Sequence, residues 1–152
     1  MNDQPDNGRL YAGVIPYVSV EGAKAAIELY KAAFGAVLHG DLFCDERGRV
    51  MNAVLEINGG MVMLVDRMDE HGSRRMSEPG HPFTMLLVTD QGKFWFDRAV
   101  AAGCTVVMPF EPQVWGDTYG RLIDPYGLEW AVNQPRAGSM GAADATADKA
   151  AV

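Results

Sequence analysis

Residues 14–35 read VIPYVSVEGAKAAIELYKAAFG. The first seven are short, β-branched and aromatic, the composition of a strand. From Gly22 to Phe34 the apolar residues Ala23, Ile27, Tyr30 and Phe34 recur at helical spacing, and Gly35 ends the run. The same order returns at residues 83–103 as FTMLLVTDQGKFWFDRAVAAG. There Phe83 to Thr89 reads as a strand and Gln91 to Ala102 as a helix with Phe96, Ala99 and Val100 inward. Val20 and Val88 lie 68 residues apart, and so do the helix-stopping Gly35 and Gly103. A whole order of elements repeated at one offset marks a duplicated unit.

Working outward, each helix is followed by three strands. Ala36 to Cys44 ends in the turn Asp45-Glu46-Arg47-Gly48, and Val50 to Ile57 pairs with Met61 to Val65 around Asn58-Gly59-Gly60. In the second half Thr105 to Phe110 comes first. Val114 to Ile123 and Leu128 to Asn133 then pair around Asp124-Pro125-Tyr126-Gly127. The expected fold is α+β: two βαβββ modules over 10–66 and 82–135, joined by a polar linker loop over 67–81. A flexible N-terminus (1–9) and a disordered tail (136–152), rich in Ala, Gly, Ser and Asp, are expected to flank them. Each module alone leaves one sheet face bare. The two are therefore expected to form a cupped, barrel-like mixed sheet with the helices on its outer face.

The 152 residues and 16.5 kDa suit a core that needs no disulfide or structural metal. A net charge of −7 argues against nucleic acid and anionic membrane as partners, because both require clustered Lys and Arg. Cys44 and Cys104 lack metal-type spacing and read as reduced thiols. No apolar run is long enough to cross a membrane, and residues 1–9 carry no apolar leader segment, so a cytoplasmic protein is expected.

The repeat, the helix AIELYKAAFG (26–35) and the ending WGDTYGR (115–121) followed by IDPYGLEW (123–130) resemble the vicinal-oxygen-chelate superfamily. This is the glyoxalase, bleomycin-resistance and dioxygenase group, and the ending looks like its PhnB-like branch. Catalytic members hold one divalent metal through His, Gln or Glu on the first and last strand of each half. The resemblance places those positions at Ile15, Met63, Thr84 and Ala131, none of which is a competent ligand. Neither a metal nor another cofactor is therefore expected. Asp66, His81 and Glu129 are the remaining polar groups near these strands, and they could recruit a metal only by a non-standard route.

Strand alternation puts Ile15, Tyr17, Ser19, Asn52, Val54, Glu56, Met61, Met63, Val65, Thr84, Leu86, Val88, Glu129, Ala131 and Asn133 on the face away from the helices. Trp115, Tyr119 and Arg121 fall at its rim. Arg121 either orients a ligand carboxylate or pairs with Asp117 or Glu129. Trp130 reads as core. The candidate ligand-binding residues are Tyr17, Ser19, Asn52, Met63, Thr84, Trp115, Tyr119, Arg121, Glu129 and Ala131; no catalytic residue is singled out. Apolar walls with a few polar groups suit a small molecule. An unpaired Glu129 near Trp115 and Tyr17 would favour a cationic, aromatic one.

Three functions are compatible with these residues. The first is metal-free binding of a small molecule, as the resemblance to drug-sequestering bleomycin-resistance proteins implies. The second is a glyoxalase-like lyase, isomerase or dioxygenase with a non-standard divalent metal site. The third is a structural or partner-binding dimer. The resemblance implies that halves pair either within a chain or between subunits; an apolar sheet edge in each half favours pairing between subunits, and a two-fold homodimer is expected.

Overall fold

The computed structural model describes residues 13–71 and 83–138. The expectations for residues 1–9, for His81 and for the tail beyond 138 lie outside them. The chain divides into two compact units, residues 1–75 and 76–152.

The first unit contains β1 (Tyr17–Val20), α1 (Ala23–Phe34), β2 (Val37–Cys44), β3 (Val50–Ile57) and β4 (Gly60–Asp66), then a 3-10 turn at Asp69–His71. Its sheet runs β1-β4-β3-β2, with β1 and β4 parallel and the other pairs antiparallel. The second unit repeats this with β5 (Met85–Val88), α2 (Gly92–Ala102), β6 (Thr105–Pro112), β7 (Thr118–Ile123) and β8 (Glu129–Gln134), in the order β5-β8-β7-β6. The architecture is α+β, two βαβββ units.

In each unit the helix covers one face of the sheet. Ala23, Ala26, Ile27, Tyr30, Ala33 and Phe34 of α1 are buried with Val18, Val20, Ala53, Leu55, Ile57, Val62 and Leu64 beneath. In the second unit Phe96 and Ala99 face Leu87, Leu122, Trp130 and Val132. Val100, expected inward, is 41% exposed. The register of α2 turns toward the sheet at Gly92, Phe96 and Ala99, and Val100 falls one step past that stripe. A side chain at Gly92 would strike the Phe110 ring, and one at Gly120 would strike Phe96 and the Phe110 backbone, so these two glycines set how closely α2 approaches.

Both helices stop in the same way. Gly35 and Gly103 adopt left-handed φ of 61° and 117°, and the amides there and at the next residue return to carbonyls of the last turn. Both also start on a side chain from the last strand. Asp66 Oδ1 accepts the Gly22 and Ala23 amides at 3.1 and 2.8 Å, while its Oδ2 accepts the Val50 amide at 2.7 Å. Gln134, one repeat later, accepts only the Gly92 amide, at 3.0 Å.

Two strand starts differ from expectation by three residues or more, while β2, β4, β5, β6 and β8 shift by one or two at their ends. The first strand begins at Tyr17 because Pro16 has no N–H for the ladder, although its carbonyl still accepts the Met63 amide at 2.9 Å. Residues 113–117 form a turn rather than the start of β7. The Gln113 amide reaches the Asp117 carbonyl, and Gly116 sits at φ 103°.

Candidate functional site

The DPYGLEW segment owes its form to one carboxylate. Asp124 is 4% exposed; its Oδ1 accepts the Tyr126 and Leu128 amides, and its Oδ2 accepts Trp130 Nε1 at 2.9 Å. The turn is thereby welded to a buried tryptophan, and Trp130 belongs to the core. Cys104 lies nearby, its thiol pushed up to about 12 by burial and then by the Asp124 charge. This signature is structural, and the chemistry must be sought on the opposite face.

On that face of the first sheet, alternation along β1 presents Tyr17 and Ser19. Tyr17 is 59% exposed and its hydroxyl lies 3.4 Å from the Met51 carbonyl. Across the ladder Tyr17 pairs with Met63, Met63 with Val54, and Val54 with His39. Ser19 Oγ and Asn52 Oδ1 are shielded from solvent and, among the described residues, have no hydrogen-bond partner. Glu56, on the same side of β3, meets His39 Nε2 at 2.8 Å. His39 is a site group that strand reading passed over. The left-handed Gly40 beside it distorts β2, and the register shifts between His39 and Phe43, so alternation along β2 alone misleads. The cross-strand partner of Val54 is the signal that would have found it.

On the second sheet Thr84, Arg121 and Glu129 come together. Glu129 Oε1 accepts from Thr84 Oγ1 at 3.0 Å and from Arg121 Nη1 at 3.1 Å. Glu129 is thus paired, and the expectation of a cationic ligand drawn to an unpaired Glu129 is corrected. An arginine directly across the β7–β8 ladder, in line with Ala131, supplies the counter-charge. Ala131 is fully buried, between Leu86 and Arg121 in the ladder.

Asp117, the other partner considered for Arg121, serves the β6–β7 hairpin. It accepts Asn133 Nδ2 and the Arg136 amide, both at 3.0 Å, and these two bonds, the Asn133 one first, hold its carboxyl below the usual range. The Arg136 side chain lies against Gly116, where a Cβ would stand 2.8 Å from its Cδ. The pinned turn presents Trp115, 53% exposed and edge-on to Tyr119 with centroids 5.9 Å apart.

The positions that hold the superfamily's metal carry poor donors here. Met63 offers a thioether, Ala131 no donor, Ile15 none, and the Thr84 hydroxyl is engaged with Glu129. Both Asp66 oxygens are used by backbone amides. Among the described residues, no three His, Cys, Asp or Glu side chains gather where a metal ion could be held. The donor set does not fit the divalent metal of catalytic relatives.

Two βαβββ units, each with its first and last strand parallel, define the vicinal-oxygen-chelate class of fold. The chain belongs to the Glyoxalase/Bleomycin resistance protein/Dioxygenase superfamily, whose family model matches residues 14–132. It is 38% identical over 124 residues to an uncharacterized protein of Mycobacterium tuberculosis strain H37Rv, covering 79% of this chain and 72% of that protein. Among solved structures, protein PA1353 from Pseudomonas aeruginosa aligns with a TM-score of 0.64 at 23% identity, over 81% of this chain and 97% of that one. The PhnB protein from Bacillus cereus aligns with a TM-score of 0.59 at 20% identity, over 82% and 100%. At these identities the structural likeness speaks for the fold alone.

Proposed function

We propose that this chain is a cytoplasmic, small-molecule-binding member of the superfamily, seating its ligand on the sheet faces away from the helices without the superfamily's metal. The observation that carries this reading is the pair Ser19 Oγ and Asn52 Oδ1, two shielded polar atoms with no partner, set among Met63, Val54 and Val65. A buried polar atom left unsatisfied costs about 1–3 kcal/mol. A ligand that parts the neighbouring side chains and supplies those bonds recovers that cost, and Met63 is the kind of side chain that yields. On the same sheet Tyr17 adds exposed aromatic surface. A screen of small molecules by thermal shift, followed by amide NMR, tests the reading. Hits are expected to move amides of β1, β3, β4 or β8 equally well with and without chelator; hits that require an added metal overturn it.

We further propose a two-fold homodimer. Strands β1 and β5 are the first strands of their sheets' orders, and Leu86 and Val88 are exposed on β5, which supports pairing between copies. Sedimentation at micromolar concentration is expected to give a dimer, and a lone monomer refutes it.

A further inference from the structure

We infer that Tyr17 covers a two-point site formed by Ser19 Oγ and Asn52 Oδ1, and that this site takes a neutral, flat heteroaromatic molecule with an N–H at either end; the inference rests on the small-molecule reading above. Ser19 lies opposite Val65 in the β1–β4 ladder. The β3–β4 register, carried one step on from the Ala53–Leu64 pair, sets Val65 opposite Asn52 in turn. Ser19, Val65 and Asn52 thus form one row across three neighbouring strands, on the face away from α1. The outer members of the row stand about 10 Å apart at Cα, twice the spacing of paired strands. A two-ring molecule lying on Val65 bridges that gap, its hydrogen bonds included. Asn52 Oδ1 is an acceptor, and Ser19 Oγ is a hydroxyl able to accept. Both are shielded and, among the described residues, unpartnered. Each therefore calls for a donor from the ligand. An N–H without charge suits these neutral acceptors best, since it loses less on leaving water than an ammonium does.

One hydrogen bond fixes where Tyr17 lies. The residue starts in the next row, opposite Met63, yet its hydroxyl is 3.4 Å from the Met51 carbonyl on β3. With the strand order β1-β4-β3, the phenol must cross β4 to reach it. Met51 falls one residue past Asn52 in the direction that β1 runs, so the ring passes over the row of Ser19, Val65 and Asn52. The bond that holds it there is longer than the usual O–H···O distance of about 2.7–2.8 Å, and is correspondingly weak. Lifting the ring breaks that bond and opens the row beneath, and the ring is then free to stack on a flat guest. At the far end Phe43 stands opposite Asn52, 66% exposed, and adds a second aromatic wall. Two aromatic side chains flanking one row favour a flat molecule over a globular one of the same size.

The probes are 5-aminoindole, indole and benzothiophene, one two-ring outline with N–H groups on two edges, on one edge and on none. Binding is read by calorimetry and NMR on the full chain at mildly alkaline pH, where the arylamine is uncharged. Affinity is expected to fall about tenfold with each edge lost, the scale of one hydrogen bond to a shielded partner. The aminoindole is expected to move the Tyr17 ring signals and the Asn52 side-chain amide. Ser19→Ala and Asn52→Leu are each expected to weaken it about tenfold and to leave benzothiophene unchanged. Ser19→Ala deletes an orphaned hydroxyl without adding bulk, and is expected to melt about 2–4 °C higher. Tyr17→Phe, which releases the ring from Met51, is expected to bind the aminoindole about threefold more tightly, because the open form is then more populated. Far-UV circular dichroism identifies a variant that fails to fold, and Asn52→Ala then replaces Asn52→Leu. Three probes that bind alike, an affinity indifferent to Ser19→Ala or to Asn52→Leu, a Ser19→Ala variant that melts lower, or a Tyr17→Phe variant that binds no tighter overturns this inference. The small-molecule reading then still stands on any metal-independent hit from the wider screen that moves β1, β3, β4 or β8. If neither the probes nor any screened compound moves these strands, both fall.

Discussion

Asp124 satisfies three donors with two oxygens, and two of them are the backbone amides of Tyr126 and Leu128. Asp124→Ala is expected to cost about 2–4 kcal/mol in urea unfolding, because the tight turn and the Trp130 indole are left with unmet bonds. Asp124→Asn keeps an acceptor for the amides but turns an N–H₂ toward Trp130, or the reverse, and is expected to cost less. Its neighbour Cys104 gives a second prediction. A thiol whose folded value is raised to about 12 from 9.0 stays protonated where the unfolded chain ionises. Its contribution to stability is complete below the unfolded value and declines as pH climbs through the interval between the two. Native protein at about pH 8 is expected to show one thiol reactive toward a disulfide reagent, the half-buried Cys44, with the second appearing on unfolding. Two reactive thiols in the folded protein would contradict the burial of Cys104.

Elements are tied down unequally in the two halves. Asp66 holds the start of α1 and the start of β3 with three amide bonds, whereas Gln134 holds only the start of α2. Asp66→Ala is therefore expected to destabilise by about 2–3 kcal/mol and Gln134→Ala by about 1 kcal/mol, checked by denaturant midpoints at constant slope. The β6–β7 hairpin depends on Asp117. The depressed folded value means that its stabilising bonds are fully present above 3.8 and are lost as pH falls through the lower folded value. The Arg136 amide signal should follow that protonation, with a midpoint below 3.8. Element order was legible in the sequence because helical spacing and glycine stops repeat at one offset. The details that escaped depend on groups remote in sequence. Nothing local to Arg121 says that Glu129 rather than Asp117 will face it, and nothing local to His39 reveals Glu56. The bulge at Gly40 and the turn at 113–117 replace alternation with hydrogen bonds that no periodicity announces. Pro16 is the exception, since its missing N–H marks the end of the ladder in the sequence itself.

For the molecule as a whole, membership of a superfamily built around a divalent ion coexists with a donor set that cannot hold one in the usual place. Protein purified without chelator and analysed by plasma mass spectrometry is expected to carry no stoichiometric Zn²⁺, Ni²⁺, Mn²⁺ or Fe²⁺. One ion per chain, bound between the sheets' first and last strands, would overturn the metal-free reading. The net charge of −7 draws small cations toward the protein and slows anions. No helix among the described residues is long and apolar enough to cross a membrane. The duplication bears on how such a protein evolves. One copy of the unit closes its polar groups on one another through Thr84, Arg121 and Glu129, while the other pairs Glu56 with His39 and, among the described residues, leaves Ser19 Oγ and Asn52 Oδ1 without a partner. A tandem gene can let one half drift toward new specificities while its sister preserves foldability. Under the proposed function, laboratory diversification confined to codons 17, 19, 52 and 63 is expected to alter recognition while the second unit's fold is left unchanged.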